Sequence, residues 1–190
     1  MTPDLFENMR NAMVVSQLRP DGVTDPRVID AMGRVPRENY VPADRRSTAY
    51  ADRLIPLADG RGINPPMVTG RLLSEARIVA GEHVLIVGSA TGYTAAVVVM
   101  LTDSVTTADA SAPIVGTYDV IMIDGAVEHV PETLIDHLAP NGRLITGIVE
   151  SGVTRLAIGR RGGRGFGLMP FVDAEMVILS EFSRPPAFVF

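Results

Sequence analysis

The chain has 190 residues, 46% of them hydrophobic, and a formal net charge of -5 at pH 7. This length and composition predict one globular domain with a sizeable core, and the acidic balance argues against a nucleic-acid partner, because phosphates require concentrated positive charge. Cysteine is absent and all 17 basic residues are arginine, which excludes disulfides, thiolate metal sites, a cysteine nucleophile and a lysine Schiff base.

The first third of the chain is predicted to be largely helical. Thr2-Pro3 can begin a first helix, because threonine caps helices and proline suits the first helical position, and apolar residues recur at helical spacing as far as Val14. Asp25-Pro26 repeats the same signal for a second helix, which ends at Val35-Pro36. Residues 36–62, rich in Pro, Asp and Arg, predict a long ordered connection.

Strands and helices alternate in the rest of the chain. A third helix is predicted from Asn64-Pro65-Pro66 to Ala80-Gly81, and later helices at 93–101 and 131–138. The predicted strands are residues 83–87, 105–108, 118–124, 143–149, 155–160 and 175–182. Strands apolar on both faces indicate a mostly parallel sheet covered by helices, whereas the last two, with no helix between them, indicate an antiparallel C-terminal edge.

The chain is therefore predicted to be a single α/β domain over residues 1–190. Its N-terminal helices and their connection occupy residues 1–62, and a Rossmann-like core occupies residues 63–190. No apolar stretch is long enough to span a bilayer, and the N-terminus has no apolar signal core. The expected location is the cytoplasm, with no membrane partner.

A loop of small residues, Gly88-Ser89-Ala90-Thr91-Gly92, separates the strand at 83–87 from the helix that begins at Tyr93. Strand, glycine-rich loop and helix form the geometry of nucleotide sites, because small residues let the backbone approach a ligand and the helix start offers N–H groups to an anion. The proposed wall of the site is Gly88, Ser89, Ala90, Gly92 and Tyr93. A tight turn in any α/β protein has the same pattern, so both interpretations stay open.

Two acidic residues lie at the C-terminal ends of predicted strands, at the sheet edge where α/β proteins bind ligands. Asp109 could bind the hydroxyls of a ribose, and its alternative is a solvated residue at a strand end. Asp124 could also face the ligand, and its alternative is a turn residue before Gly125. The three histidines lack the i, i+4 spacing of a helical zinc site, so no metal site is predicted.

Several motifs of the N-terminal third stand in the order and spacing of a known family. They are Gln17-Leu18-Arg19, Gly22-Val23, Asp25, Arg27-Val28-Ile29, Val35-Pro36-Arg37-Glu38, Tyr40-Val41-Pro42, Ala49-Tyr50 and Ile55-Pro56-Leu57. With Gly92-Tyr93, Tyr118-Asp119 and Gly142-Arg143-Leu144, the chain resembles the protein-L-isoaspartate O-methyltransferase family as far as about residue 150.

The resemblance implies a Rossmann-like methyltransferase fold and the cofactor S-adenosylmethionine. It implies transfer of a methyl group to the free carboxylate of isoaspartyl residues in peptides or proteins, which is a repair reaction. The glycine loop, Asp109 and Asp124 would bind the cofactor. Gly62, Ile63 and Asn64 would form the substrate loop, and Asn64, at the family's serine position, would orient the carboxylate.

This sequence departs from the family pattern at single positions. The substrate loop usually reads G-Q-T-I-S-Q-P, but residues 60–66 read G-R-G-I-N-P-P. Asn64 can still donate a hydrogen bond, although it could simply cap the helix that Pro65 begins. Ile86 replaces an acidic residue, and Ala90 replaces a glycine, which is unfavourable if the backbone there needs a positive φ.

The segment from Asp109 to Tyr118 is also too short for the helices and the strand that the family places there. Either a parallel strand has been lost or the sequence omits a segment. Two alternatives to an active methyltransferase therefore stay open. One is a degenerate homologue that has lost cofactor binding and serves as a binding or scaffold protein, and the other is a protein that binds a different nucleotide through the same loop.

Overall fold

A computed structural model describes residues 3–58, 60–163 and 165–184 of the chain. Its helices are α1 (Pro3–Met13), α2 (Pro26–Arg34), α3 (Pro66–Ala76), α4 (Tyr93–Val98) and α5 (Glu132–Ile135). A π-helical turn covers Val14–Leu18, and 3-10 turns cover Arg37–Tyr40, Ala43–Thr48 and Ser180–Phe182. The strands are β1 (Ile55–Pro56), β2 (Gly62–Ile63), β3 (His83–Val87), β4 (Ser104–Ala108), β5 (Tyr118–Val127), β6 (Leu138–Glu150), β7 (Val153–Gly162) and β8 (Gly165–Asp173).

Six strands form the main sheet in the order β4-β3-β5-β6-β7-β8. The first four of these are parallel to one another, and β7 and β8 continue the sheet antiparallel. The predicted fold class, a mostly parallel sheet with an antiparallel C-terminal edge and N-terminal helices, is confirmed. Strands β1 and β2 form a separate short antiparallel ladder ahead of α3.

The central parallel strands β3, β5 and β6 are buried on both faces, as their apolar runs predicted, whereas the edge strand β4 is exposed or half-buried. Ile86 and Met122 belong to a core cluster shared with the N-terminal helices. Leu85 and Ile121 belong to a second cluster, which includes Leu134 of α5. The N-terminal helices therefore pack on one face of the sheet, and the other face is covered by α5 and by connecting segments.

The connection from β4 to β5 is unusually short for a parallel crossover. Residues 109–117 pass from β4 to β5, which lies on the far side of β3, without forming a helix, whereas parallel crossovers commonly need a dozen or more residues. Ala110 and Ile114 of this connection pack on the second core cluster. The expectation that no further strand and helices fit here is confirmed, and β4 forms the edge of the parallel half.

Several predicted boundaries are wrong. The helices predicted at 93–101 and 131–138 end at Val98 and Ile135, and the strand predicted from Arg143 begins at Leu138. Helix α3 ends at Ala76 rather than near Ala80, because Arg77 adopts a left-handed backbone with φ 51° and ψ 48°, which terminates a helix. The antiparallel partner of β7 is Gly165–Asp173 rather than 175–182. The sequence hides β8 because most of its side chains are exposed or half-buried.

The second helix begins as predicted, because the Asp25 side chain accepts a hydrogen bond from the backbone N–H of Arg27. The proposed cap of the first helix, Thr2, lies outside the described residues. Within the described part of the chain, no helix combines the length and the apolarity needed to cross a membrane.

Candidate active site

Residues 175–182, here named the crossing segment, run over the carboxyl end of β5. The backbone N–H of Ala126 donates to the Val177 carbonyl at 2.6 Å, and the N–H of Leu179 donates to the Ala126 carbonyl at 2.9 Å. Val177, Leu179 and Phe182 are buried. The segment therefore covers the sheet edge at which the ligand site was predicted.

Three glycines make room for the side chains of the crossing segment. A Cβ atom on Gly62 would lie 2.9 Å from a methyl group of Val177, and one on Gly88 would lie 2.8 Å from a methyl group of Leu179. A Cβ atom on Gly125 would lie 2.5 Å from Cγ of Leu179. The close approach expected at Gly88 is thus made by a side chain of the protein itself.

A cavity of about 290 Å³ lies beside Leu179, and Gly88, Asp109, Ser111 and Glu181 contribute to its lining. It brings together Gly88 and Asp109, two predicted cofactor residues that follow different strands. The N–H of Gly88 donates to the Ala108 carbonyl at 2.9 Å, which ties the glycine loop to the end of β4. The volume is close to the lower limit of small-molecule sites.

A second cavity, of about 300 Å³, shares Ala110 with the first. Its lining combines polar groups, among them Thr133 and His137, with the apolar side chains of Pro113, Ile114, Leu134 and Phe182. The two cavities meet the short 109–117 connection, so this connection forms part of the wall of both.

The backbone of the glycine loop turns at its two ends. Gly88 has φ 78° and Gly92 has φ 79°, whereas Ala90 is not in the positive-φ region. The strain that a methyl group would cause at a positive φ therefore does not arise at Ala90. Ser89, Ala90 and Gly92 are half-buried, and Ile86 is fully buried in β3, as a purely structural strand residue would be.

Tyr93 lies beneath the glycine loop rather than in either cavity. Its side chain is buried, and its ring meets that of Tyr40 edge to face at 5.8 Å. The Arg37 guanidinium lies over the same ring, with its central carbon 4.5 Å from the ring centroid. Tyr93 is thus placed to support the loop from below.

Arg37 is a fully buried arginine that sequence reasoning did not single out. Its Nε donates to the Ala49 carbonyl and its Nη2 donates to the Asn64 carbonyl, both at 2.7 Å. Its Nη1 has no hydrogen-bond partner among the described residues, and neither has the Tyr93 hydroxyl. Burial lowers the pKa of Arg37 and raises the pKa of Tyr93. The sequence signal that could have marked it is its place in the family motif Val35-Pro36-Arg37-Glu38.

Asn64 and Asp124, predicted for the substrate side and the cofactor side, lie together. Nδ2 of Asn64 donates to the backbone carbonyl and to Oδ1 of Asp124, both at 3.0 Å, and Oδ1 of Asn64 accepts from the Val177 N–H at 2.9 Å. Helix α3 has Pro65 at its N-cap, without a side-chain cap, so the capping interpretation of Asn64 is wrong. Ile63 is buried in β2.

Among the described residues, no group of three or more His, Asp or Glu side chains is placed to hold a metal ion. The polar groups present at this edge of the sheet are amide, hydroxyl, guanidinium and carboxylate groups. These groups can bind and orient a polar ligand.

Comparison with solved structures supports the fold. A protein-L-isoaspartate O-methyltransferase of Plasmodium falciparum, solved with S-adenosyl-L-homocysteine, superposes with a TM-score of 0.73 and 19% identity, over 90% of this chain and 98% of that chain. A second protein-L-isoaspartate O-methyltransferase superposes with a TM-score of 0.76 over 92% of this chain and 67% of its own.

Proteins that are similar to this chain in sequence also carry the name protein-L-isoaspartate O-methyltransferase. The protein-L-isoaspartate O-methyltransferase of Synechococcus sp. (strain JA-2-3B'a(2-13)) is 32% identical over 177 positions, which cover 78% of this chain and 72% of the relative. That of Methylorubrum populi is 31% identical over 86% of this chain and 93% of the relative. The alignment has 177 positions, which is more than the 78% of this chain's 190 residues that it includes. Within the aligned region the Synechococcus protein therefore has residues that this chain lacks.

The model of the protein-L-isoaspartate(D-aspartate) O-methyltransferase family matches residues 9–115 and, separately, residues 105–165. Both matches include residues 105–115. The chain is therefore shortened relative to the family model at a point next to β4. Together these matches cover most of the chain. The chain therefore belongs to the protein-L-isoaspartate O-methyltransferase family.

Proposed function

We propose that this chain transfers a methyl group from S-adenosylmethionine to the free carboxylate of isoaspartyl residues in peptides and proteins, as a repair reaction in the cytoplasm. Family membership supports the reaction class. The observation that carries the proposal is the cavity that joins Gly88 to Asp109 at the carboxyl ends of β3 and β4, because α/β proteins bind nucleotides at this edge.

The residues around the two cavities fit such a cofactor. Asp109 is exposed and has two carboxylate oxygens that can accept hydrogen bonds from a ribose. Gly88 lines the cavity beside Leu179, and Ile114 and Phe182 give the second cavity apolar side chains that suit a flat base. Asp124 would act more indirectly, by holding Asn64. When bound, S-adenosylmethionine supplies an electrophilic methyl group on a sulfonium.

The chain's own contribution to this reaction is orientation. The substrate carboxylate is ionised at neutral pH and needs no base. Its oxygen forms a bond to the methyl carbon as the carbon–sulfur bond breaks, and the electron pair stays on sulfur, which yields a methyl ester and S-adenosylhomocysteine. Holding the carboxylate in line with that bond supplies much of the rate.

Gly62, Ile63 and Asn64 are proposed to hold the carboxylate. Asn64 is the polar side chain among them, and its Nδ2 already contacts Asp124 twice. A substrate carboxylate must therefore compete with Asp124 for these N–H groups. This competition predicts that substrate binding loosens the link between Asn64 and Asp124.

The test combines a calorimetric titration with S-adenosylhomocysteine and a transfer assay with labelled S-adenosylmethionine. An isoaspartyl peptide is compared with the aspartyl peptide of the same sequence, and methyl transfer is expected to the first alone. Asp109→Asn is expected to weaken cofactor binding by about tenfold or more, because a hydrogen bond to a charged group is lost. Asp103→Asn, at the opposite, exposed end of β4, is the matched control and should bind like the unmodified chain.

Two results would oppose the proposal. The first is the absence of both binding heat and methyl transfer at millimolar cofactor, which would favour the degenerate homologue, with Leu179 excluding the ligand from the glycine loop. The second is an equal loss in Asp109→Asn and Asp103→Asn, which would mean that the cavity beside Gly88 is not the cofactor site.

A further inference from the structure

We propose that Arg37 is a positioning residue of the methyl-transfer site, acting on the substrate through Asn64. This inference rests on the proposed function and adds to it a residue that touches neither reactant. Three observations carry it: the hydrogen bonds of a buried guanidinium, the lack of a counter-ion in the described part of the chain, and the place of Arg37 between the substrate loop and the glycine loop.

The guanidinium joins segments that are distant in sequence. It holds the carbonyls of Ala49 and Asn64, 12 and 27 residues further along the chain, and it stacks on Tyr93 at the start of α4. The guanidinium group of an arginine has a fixed planar geometry, so these contacts fix the position of the Asn64 backbone relative to the glycine loop. The side chain of Asn64 is then aligned by Asp124 and Val177.

A purely structural role explains Arg37 poorly. Buried charges are normally paired, yet no described carboxylate lies within ion-pair distance of Arg37. Arg143, the other buried arginine among the described residues, contacts both carboxylate oxygens of Glu82 at 2.7 and 2.8 Å. A well-packed apolar side chain would stabilise the site of Arg37 as well as an unpaired cation does.

The missing counter-ion has a consequence for ligands. Asp124 is close enough to raise the pKa of Arg37 electrostatically, against the larger effect of burial, but it does not form an ion pair. The positive charge of the Arg37 guanidinium, which Asp124 does not neutralise, lies directly behind Asn64, where water does not screen it. It therefore favours a carboxylate on the substrate side of Asn64.

The experiment compares Arg37→Lys, which keeps the charge but loses the planar guanidinium, with Arg37→Met, which loses both. For each variant kcat and KM are measured with an isoaspartyl peptide, the Kd for S-adenosylhomocysteine by calorimetry, and Tm by circular dichroism. The control is Arg143→Lys, a buried arginine that binds the Ala76 and Arg77 carbonyls at the opposite end of the sheet.

Both Arg37 variants are expected to lose about tenfold or more in kcat/KM for the peptide, since small displacements of a positioning group are costly to catalysis. Arg37→Met is expected to lose more of its kcat/KM than Arg37→Lys, chiefly through a higher KM, because it also loses the positive charge. The Kd for S-adenosylhomocysteine should stay near that of the unmodified chain in both. Arg143→Lys should lower Tm without changing KM.

The proposal is overturned if kcat/KM is unchanged in both Arg37 variants, or if it falls only in proportion to cofactor affinity, which would indicate general damage to the site. It is also overturned if Arg143→Lys shows the same loss. Should Arg37→Met not fold, Arg37→Lys decides alone. An unmodified chain that binds no S-adenosylhomocysteine refutes the proposed function itself, which is a different result from an active chain that is insensitive at Arg37.

Discussion

Leu179→Ala tests whether the crossing segment fills the site edge by packing against glycine. The leucine is 5% exposed, and its side chain occupies the space that Cβ atoms on Gly88 and Gly125 would need. Alanine removes the atoms that make these contacts, but it keeps the hydrogen bond from the Leu179 backbone to Ala126. The substitution therefore separates side-chain packing from the path of the backbone.

The magnitude follows from burial and from the neighbouring cavity. Truncating a buried leucine to alanine costs about 2–5 kcal/mol, and less where the surroundings can relax or fill with solvent. Leu179 lines the cavity of about 290 Å³, so we expect the lower part of this range, about 2–3 kcal/mol. For a chain of this size that loss lowers Tm by roughly 4–12 °C.

The assay is urea unfolding followed by circular dichroism, with S-adenosylhomocysteine titrated calorimetrically into the same samples. Ile178→Ala is the matched control, because the neighbouring residue is 58% exposed and its truncation should change stability by less than about 0.5 kcal/mol. The affinity of Leu179→Ala for the ligand should not fall, because the substitution enlarges the cavity beside Gly88.

Gly125→Ala provides an independent check through non-additivity. Its new methyl group would collide with Leu179 in the unmodified chain, which costs about 1–3 kcal/mol. In Leu179→Ala the clash with the leucine is gone and the contact with the Val177 carbonyl oxygen, 3.0 Å away, remains. The double variant should therefore be more stable than the sum of the single effects by about 0.5 kcal/mol or more. Strict additivity, or a cost in Ile178→Ala equal to that in Leu179→Ala, would refute this account of the packing.

Three further predictions concern stability. Arg143 lowers the pKa of Glu82 below its ordinary value of 4.5. This carboxylate therefore stabilises the fold above pH 4.5, and its contribution is lost as the pH falls through the lowered pKa. Glu82→Gln should lower the free energy of unfolding by about 1 kcal/mol at pH 7 and by progressively less in acid, as measured by urea unfolding across pH. Tyr50→Phe removes a buried hydroxyl that hydrogen-bonds a guanidinium and a carboxylate, and should cost about 1–3 kcal/mol by the same measurement, whereas no loss would mean that this network does not stabilise the fold. Ser151 and Gly152 both have positive φ in the turn between β6 and β7, a conformation that asparagine adopts easily and valine does not. Ser151→Asn should therefore raise Tm slightly, and Ser151→Val should lower it. The reverse order of Tm values would contradict the turn assignment.

Local signals were sufficient wherever one short segment sets its own conformation. Asp25 caps α2 because its side chain reaches an N–H two residues away, and this contact depends on no other part of the chain. The strand, glycine loop and helix around Gly88 follow from the residues themselves, because apolar runs require burial and glycine permits positive φ. Local spacing also predicted that Asp109 and Tyr118 are too close for a further strand.

The same signals failed where burial could be satisfied in two ways. The apolar residues of 175–182 would fit a strand or a segment packed over strand ends, and the sequence does not distinguish these. The structure chooses the second because Gly62, Gly88 and Gly125 leave space that Val177 and Leu179 fill.

The sequence by itself determined the fold class, the family and the loop at which a cofactor is expected, because periodicity and motif spacing are properties of neighbouring residues. Only the tertiary structure decided what lies against that loop. Asn64 is bound to Asp124, 60 residues away, and to Val177, 113 residues away. Arg37 binds the Asn64 carbonyl and has no counter-ion among the residues that the structure describes. Contacts over such separations depend on how the sheet and its connections pack, which no local pattern records.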